Sequence, residues 1–229
     1  MDKRIVAANQ LAGQYGIKTV ITGPPGSGKT PLMGTAPRAI VLALEPGYRS
    51  VRNQSFPCWN AINDLKSAED FFAWLFGSNE AKQFDTVGFD SWSQLCDLVL
   101  NKFKAKNSHG LKAYGEMADQ IYGWAEKLFY LQQKHVVMLC KQETVYMPGP
   151  GPDPIQFSRP YFPGKNLIIQ IPHLYDEFWS LDEFIVPGVN GKVSALLTKK
   201  RNDRMVRSRS GNLNEYEPPN LTDIFAKAM

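Results

Sequence analysis

The chain has 229 residues, 43% of them apolar, and a net charge of +4. That is the size of one ordinary globular domain with a substantial core, and no apolar run approaches the ~18 residues of a membrane span. Three scattered cysteines without a C-x-x-C pair suggest neither a disulfide framework nor a zinc knuckle, and the three histidines lack ligand spacing.

The first sixteen residues are polar and carry no firm pattern. They open on Met1-Asp2-Lys3-Arg4-Ile5-Val6, which is not a signal-peptide apolar stretch, so a soluble cytoplasmic protein is expected. Lys18-Thr19-Val20-Ile21-Thr22 reads as a short buried strand. It runs straight into Gly23-Pro24-Pro25-Gly26-Ser27-Gly28-Lys29-Thr30, a complete G-x-x-x-x-G-K-[ST] phosphate loop. Glycines let the backbone turn tightly and aim successive N–H groups at phosphate oxygens. Lys29 is placed to reach the β- and γ-phosphates of ATP, and the Thr30 hydroxyl to ligate Mg²⁺. A helix is expected to begin inside the loop and to turn its positive end on the anion. Pro31 is compatible with that, because the first helical turn needs no donor there.

Ala39 to Leu44 is a continuous apolar run of strand length, of the kind found in a parallel strand buried on both faces, and it ends at Glu45-Pro46-Gly47. Residues 48–60 read as an irregular connection with a short strand. A helix from Ala68 to about Phe76, capped by Ser67, carries an aromatic stripe expected in the core. Phe84 to Asp90 is a third strand ending in a carboxylate, followed by a helix from Ser91 to about Phe103. Residues 104–115 are basic and Gly-punctuated and read as a mobile loop. A long helix from Glu116 to about Gln133 precedes a fourth strand, His135 to Cys140, which continues into Lys141-Gln142-Glu143. Six prolines between residues 147 and 165 predict a long functional loop. Beyond it come a short helix at 166–172, strands at 175–181 and 193–198, a hairpin return at 205–208 and a short terminal helix.

Strands alternating with helices predict an α/β fold with a mostly parallel central sheet, whose ligand sits at the carboxyl ends of the strands. Four of those ends carry chemistry: the Lys29 loop, Glu45, Asp90 and Gln142. Asp90 suits a Mg²⁺ ligand, with helix capping as its alternative role. Glu45 suits a base that activates water, with a turn carboxylate as the alternative; Glu143 is the competing candidate for the base. Gln142 is placed to sense the γ-phosphate. Basic side chains gather in two places, Lys102 to Lys112 and Lys199 to Arg209, either of which can meet nucleic-acid phosphates or simply face solvent.

The order of the phosphate loop, Glu45, Phe89-Asp90-Ser91 and Gln142 before a long segment resembles the RecA-like recombinase core over about residues 18–210. The resemblance implies a RecA-like P-loop ATPase using ATP and Mg²⁺, with DNA stimulating hydrolysis. It makes Lys29, Glu45 and Gln142 part of the reaction and residues 103–115 and 147–165 the single-stranded DNA loops. Lys104, Lys106, His109, Lys112, Arg159 and Lys165 would then meet DNA. Lys199 and Lys200, in Thr198-Lys199-Lys200-Arg201, look like the basic element that reaches a neighbouring subunit's ATP. Glu45-Pro46-Gly47 and that basic run are most similar to the phage-encoded Sak group of single-strand annealing and nucleotide-binding proteins. From this follow a single domain (1–16 leading segment, 17–210 core, 211–229 tail), a ring or filament of identical subunits, and single-stranded DNA and a single-strand DNA-binding protein as partners. A small P-loop kinase with Arg201, Arg204, Arg207 and Arg209 as lid arginines, an AAA+ ATPase, and a nucleotide-gated annealing module with negligible turnover are the competing classes. ATP hydrolysis with and without single-stranded DNA separates them.

Overall fold

The computed structural model describes residues 4–107, 109–149 and 153–229. Expectations for Met1 to Lys3, and for Pro150 and Pro152, lie outside those residues. In chain order the elements are α1 (Ala8–Ala12), β1 (Lys18–Gly23), α2 (Lys29–Met33), β2 (Ala39–Ala43), β3 (Cys58–Asn60), α3 (Leu65–Gly77), β4 (Thr86–Asp90), α4 (Trp92–Lys106) and α5 (Gly110–Phe129). There follow β5 (His135–Met147), β6 (Ile155–Pro160), α6 (Leu167–Leu174), β7 (Glu177–Ile185), β8 (Lys192–Leu197), β9 (Tyr216–Glu217) and α7 (Leu221–Ala228).

The central sheet has the order β3-β2-β4-β5-β1-β7-β8-β9. The first six strands of that order are parallel; β8 extends the sheet antiparallel to β7, and β9 pairs antiparallel with β8. Every residue of β1, β2 and β4 is buried, which explains the continuous apolar run of β2: helices cover both faces. Successive side chains alternate between two cores. Val20, Ile40, Leu42, Met138 and Cys140 pack under α3, α4, α5 and α6, whereas Ile21, Val41, Val137 and Leu139 pack under α2 and α7. The aromatic stripe of α3 lies in the first core, with Phe72 stacked on Trp124 at 4.3 Å between ring centroids. This is the expected α/β fold, a mostly parallel central sheet between two helical layers, consistent with a RecA-like P-loop core. Among the described residues no helix is long and apolar enough to cross a membrane.

Four expectations are corrected. Residues 104–115 are not a loop throughout: α4 continues to Lys106 and α5 starts at Gly110. Lysine and alanine there are good helix formers, and the three glycines of α5 cost at most about 1 kcal/mol each. The segment 147–165 is not loop throughout either. Its second half forms β6, antiparallel to the extended outer half of β5 from Gln142↔Pro160 to Met147↔Ile155. Pro154 and Pro160 fall just before and at the end of an edge strand, where a missing donor is tolerated. The return at 205–208 does not pair with β8, whose partners are β7 and β9; Arg207 bridges Phe178 and Arg204 bridges Ser158 instead. Finally, α3 begins earlier than expected, capped by Asp64, whose carboxylate accepts from Ser67 N at 3.0 Å.

Candidate nucleotide-binding site

β1 delivers the phosphate loop directly to the carboxyl edge of the sheet. Gly23 permits close packing: a Cβ there would lie 2.3 Å from the Leu181 carbonyl oxygen and 2.5 Å from Ser27 Oγ. Gly28, at φ 95°, turns the chain into α2 in a conformation that glycine adopts freely. Lys29 Nζ donates to the carbonyls of Gly23 (2.7 Å) and Pro24 (2.9 Å). Burial depresses its pKa, while Asp90 and Glu45 pull it back up.

β4 runs into α4 without a loop, through a cis Asp90–Ser91 peptide. Ser91, not Asp90, caps α4, its Oγ accepting from Gln94 N at 3.2 Å. Asp90 is therefore not spent on capping. It is 7% exposed and accepts from Thr30 Oγ1 at 2.7 Å. Burial raises its pKa, opposed by the Thr30 hydrogen bond. Glu45, just beyond β2, accepts a hydrogen bond from Ser91 Oγ and lies 3.5 Å from Lys141 Nζ. Gln142 Nε2 donates to Ser158 Oγ at 3.3 Å, and Gln142 Oε1 is buried without a hydrogen-bond partner among the described residues. The loop residues Gly23, Pro25, Gly26, Gly28, Lys29 and Thr30 line one cleft of about 690 Å³ together with Glu45, Asp90, Ser91, Lys141 and Gln142. All four strand ends singled out in the sequence thus meet.

Thr30 and Asp90 are the side chains placed to hold Mg²⁺. A hydroxyl and a carboxylate in contact suit a hard cation that takes few protein ligands and keeps water and phosphate in its shell. A second observation fits. The Tyr48 hydroxyl, in the 3₁₀ turn Tyr48–Val51 after Glu45, is buried and has no partner in hydrogen-bonding geometry among the described residues. Its pKa is raised by burial first and by Asp90 next. Asp90 is the acceptor it faces, so the hydroxyl can support that carboxylate or donate to the shell of a bound metal.

The remaining sequence-derived residues are elsewhere. Glu143 lies on the hairpin, paired with Arg159 at 2.8 Å. Lys199 and Lys200 follow β8, whose last residue pairs with Ser180; Lys200 lines a separate open pocket with Arg201, Asn202 and Asp203. Lys104 Nζ sits over the Tyr114 ring at 5.3 Å. A Cβ on Gly164 would lie 3.1 Å from that same ring, which puts neighbouring Lys165 near the α4–α5 junction. Lys106 and His109 are exposed at this junction, and Lys112 is 3.8 Å from Glu116. Lys104, Lys106, His109, Lys112 and Lys165 therefore belong to one region, and Arg159 to the hairpin. Sequence reading missed Tyr48 and Lys141. Their signals were faint: a tyrosine three residues after Glu45, and a lysine where an apolar strand turns polar.

The fold and the cleft define a P-loop NTPase. Residues 15–207 match a protein family described as an AAA domain, and the chain belongs to that family. No curated protein matches. Among solved structures, a KaiC-like protein from the hyperthermophilic archaeon Pyrococcus horikoshii is 11% identical, covering 82% of this chain and 81% of its own, with a TM-score of 0.42. The RadB recombinase is 15% identical, covering 83% of this chain and 84% of its own, with a TM-score of 0.44. Neither likeness is close enough to bear on function.

Proposed function

We propose that this chain binds ATP with Mg²⁺, hydrolyses it, and uses the cycle to act on single-stranded DNA in recombination, by annealing or strand exchange. The observation that carries the catalytic half is the convergence of Lys29, Thr30, Glu45, Asp90 and Gln142 on one cleft. The loop N–H groups and Lys29 bind the phosphates. Thr30 and Asp90 hold Mg²⁺, which when bound neutralises charge on the phosphate oxygens. Glu45 takes the proton of the attacking water, and the free Gln142 Oε1 accepts a hydrogen bond from that water or its neighbour. Glu45 is preferred to Glu143 because it lines the cleft, whereas Glu143 is tied to Arg159.

The DNA half rests on charge and position. Gln142 stands where β5 leaves the cleft and enters the hairpin with β6, so one strand joins the phosphate end to Arg159. Lys104, Lys106, His109, Lys112 and Lys165 form the second basic group, suited to backbone phosphates. In this reading residues 1–229 are one ATPase domain, working as a cytoplasmic homo-oligomer, ring or filament. Lys199 and Lys200 reach a neighbour's nucleotide, a single-strand DNA-binding protein is an accessory partner, and the kinship is with the phage Sak group. A P-loop kinase or an AAA+ type ATPase not acting on DNA is the second reading; the family match supports its AAA side alone. Phosphate release with and without single-stranded DNA decides between them: stimulation that weakens steeply with salt supports the DNA reading, and indifference to DNA with phosphate passed to another acceptor supports a kinase.

A further inference from the structure

Lys141 occupies a position that no phosphate-loop signature specifies. Its strand, β5, lies between β4 and β1, and the register sets Lys141 beside Gly23. The backbone there is fixed from two sides. Lys141 N donates to Ser93 Oγ at 3.0 Å, and its carbonyl accepts from Tyr161 N at 2.8 Å. The ammonium lies 2.8 Å from Gln94 Oε1, 3.5 Å from Glu45 Oε1 and 3.8 Å from Asp97 Oδ2. Among the described residues lining the cleft, Lys29 and Lys141 carry the cationic side chains. Lys29 is turned onto the loop carbonyls; Lys141, on the strand beside the loop, is held against the candidate base.

We propose that Lys141 is a positioning residue that holds Glu45 in place and sets a positive charge near the terminal phosphate from within the same chain. This rests on the ATPase reading above and adds a charge that does not depend on a neighbouring subunit. In the step concerned, the oxygen of water bonds to the γ-phosphorus and its proton passes to Glu45. The bond from γ-phosphorus to the bridging oxygen breaks, its electron pair leaving on ADP. Lys141 keeps its proton throughout; its charge steadies the Glu45 carboxylate and the phosphoryl oxygens as negative charge shifts.

The test compares the full chain with Lys141→Met, Lys141→Ala and Lys141→Arg, by single-turnover ATP hydrolysis and by binding of a fluorescent ATP analogue. Methionine keeps the length of the stem and removes the charge. Loss of a preorganised charge contact in such a site lowers turnover by about 10²-fold or more. Met and Ala variants should show that loss with nucleotide affinity nearly unchanged, and Arg should recover part of the rate. A Met variant turning over nearly as fast as wild type would overturn the role of Lys141 alone. So would a Met variant that loses affinity and rate together, or an Arg variant no better than Met. If the wild-type chain neither binds nor hydrolyses ATP, the ATPase reading falls and this inference falls with it.

Discussion

The Tyr48 hydroxyl is the side-chain atom whose surroundings say most about what the cleft is built to hold. A buried hydroxyl whose facing acceptor, Asp90, is out of good hydrogen-bonding geometry gains little for the protein alone. Tyr48→Phe should therefore leave thermal stability unchanged or raise it. If the hydroxyl donates to the shell of a bound metal, the same variant should bind ATP more weakly with Mg²⁺, by about fivefold for a lost hydrogen bond of ~1 kcal/mol. Affinity in the presence of a chelator should not change. Calorimetric melting and nucleotide titration check both halves, and equal weakening with and without Mg²⁺ would detach Tyr48 from the metal. At this scale the sequence was legible where chemistry compels local spacing. The phosphate loop needs its glycines, lysine and threonine within eight residues, and Asp90 closes an apolar strand. Lys141 and Tyr48 matter through neighbours 94 to 97 and 90, which only the strand order brings close.

Elements were legible where burial dictates a pattern. The runs at 39–44 and 135–140 became parallel strands because two helical layers leave them no solvent face. The hairpin of β5 and β6 was hidden because its prolines resemble loop chemistry, and the α4–α5 junction because lysines and glycines mask helix. The amino edge of the sheet holds a titratable element opposite the cleft. Lys18, at the start of β1, is 2% exposed, and its ammonium donates to the carbonyls of Leu131 (2.9 Å) and Lys134 beyond α5. Burial lowers its pKa to about 7, against Asp176, which raises it; Lys134 lowers it further. The unfolded chain then binds more protons than the folded one between pH ~7 and ~10.5, so this side chain makes stability rise with pH across that window. Denaturant unfolding of wild type and Lys18→Met from pH 7 to 10 should show a rise in the wild type that the variant lacks, even though the variant is weaker overall because two carbonyls lose their donor. Parallel pH profiles would contradict the account.

At the scale of the whole molecule, strand order does the organising. With β5 inserted between β4 and β1, the Asp90 strand, the Gln142 strand and the phosphate-loop strand lie side by side, and β2 adds Glu45 at the flank. Helix α7, from the far end of the chain, completes the opposite core, with Phe225 stacked on His135 at 4.2 Å between ring centroids. The antiparallel extension carries Lys199 and Lys200 away from the cleft of their own chain, which is where residues serving a neighbour would have to be. The measurement closest to the centre of this account is phosphate release from Mg²⁺-ATP by the wild-type chain, Lys29→Ala and Glu45→Gln, with nucleotide binding followed in parallel. Wild type should turn over and Lys29→Ala should not, while Glu45→Gln should still bind ATP and lose about 10²–10⁴-fold in rate. Undiminished hydrolysis by Lys29→Ala would contradict it.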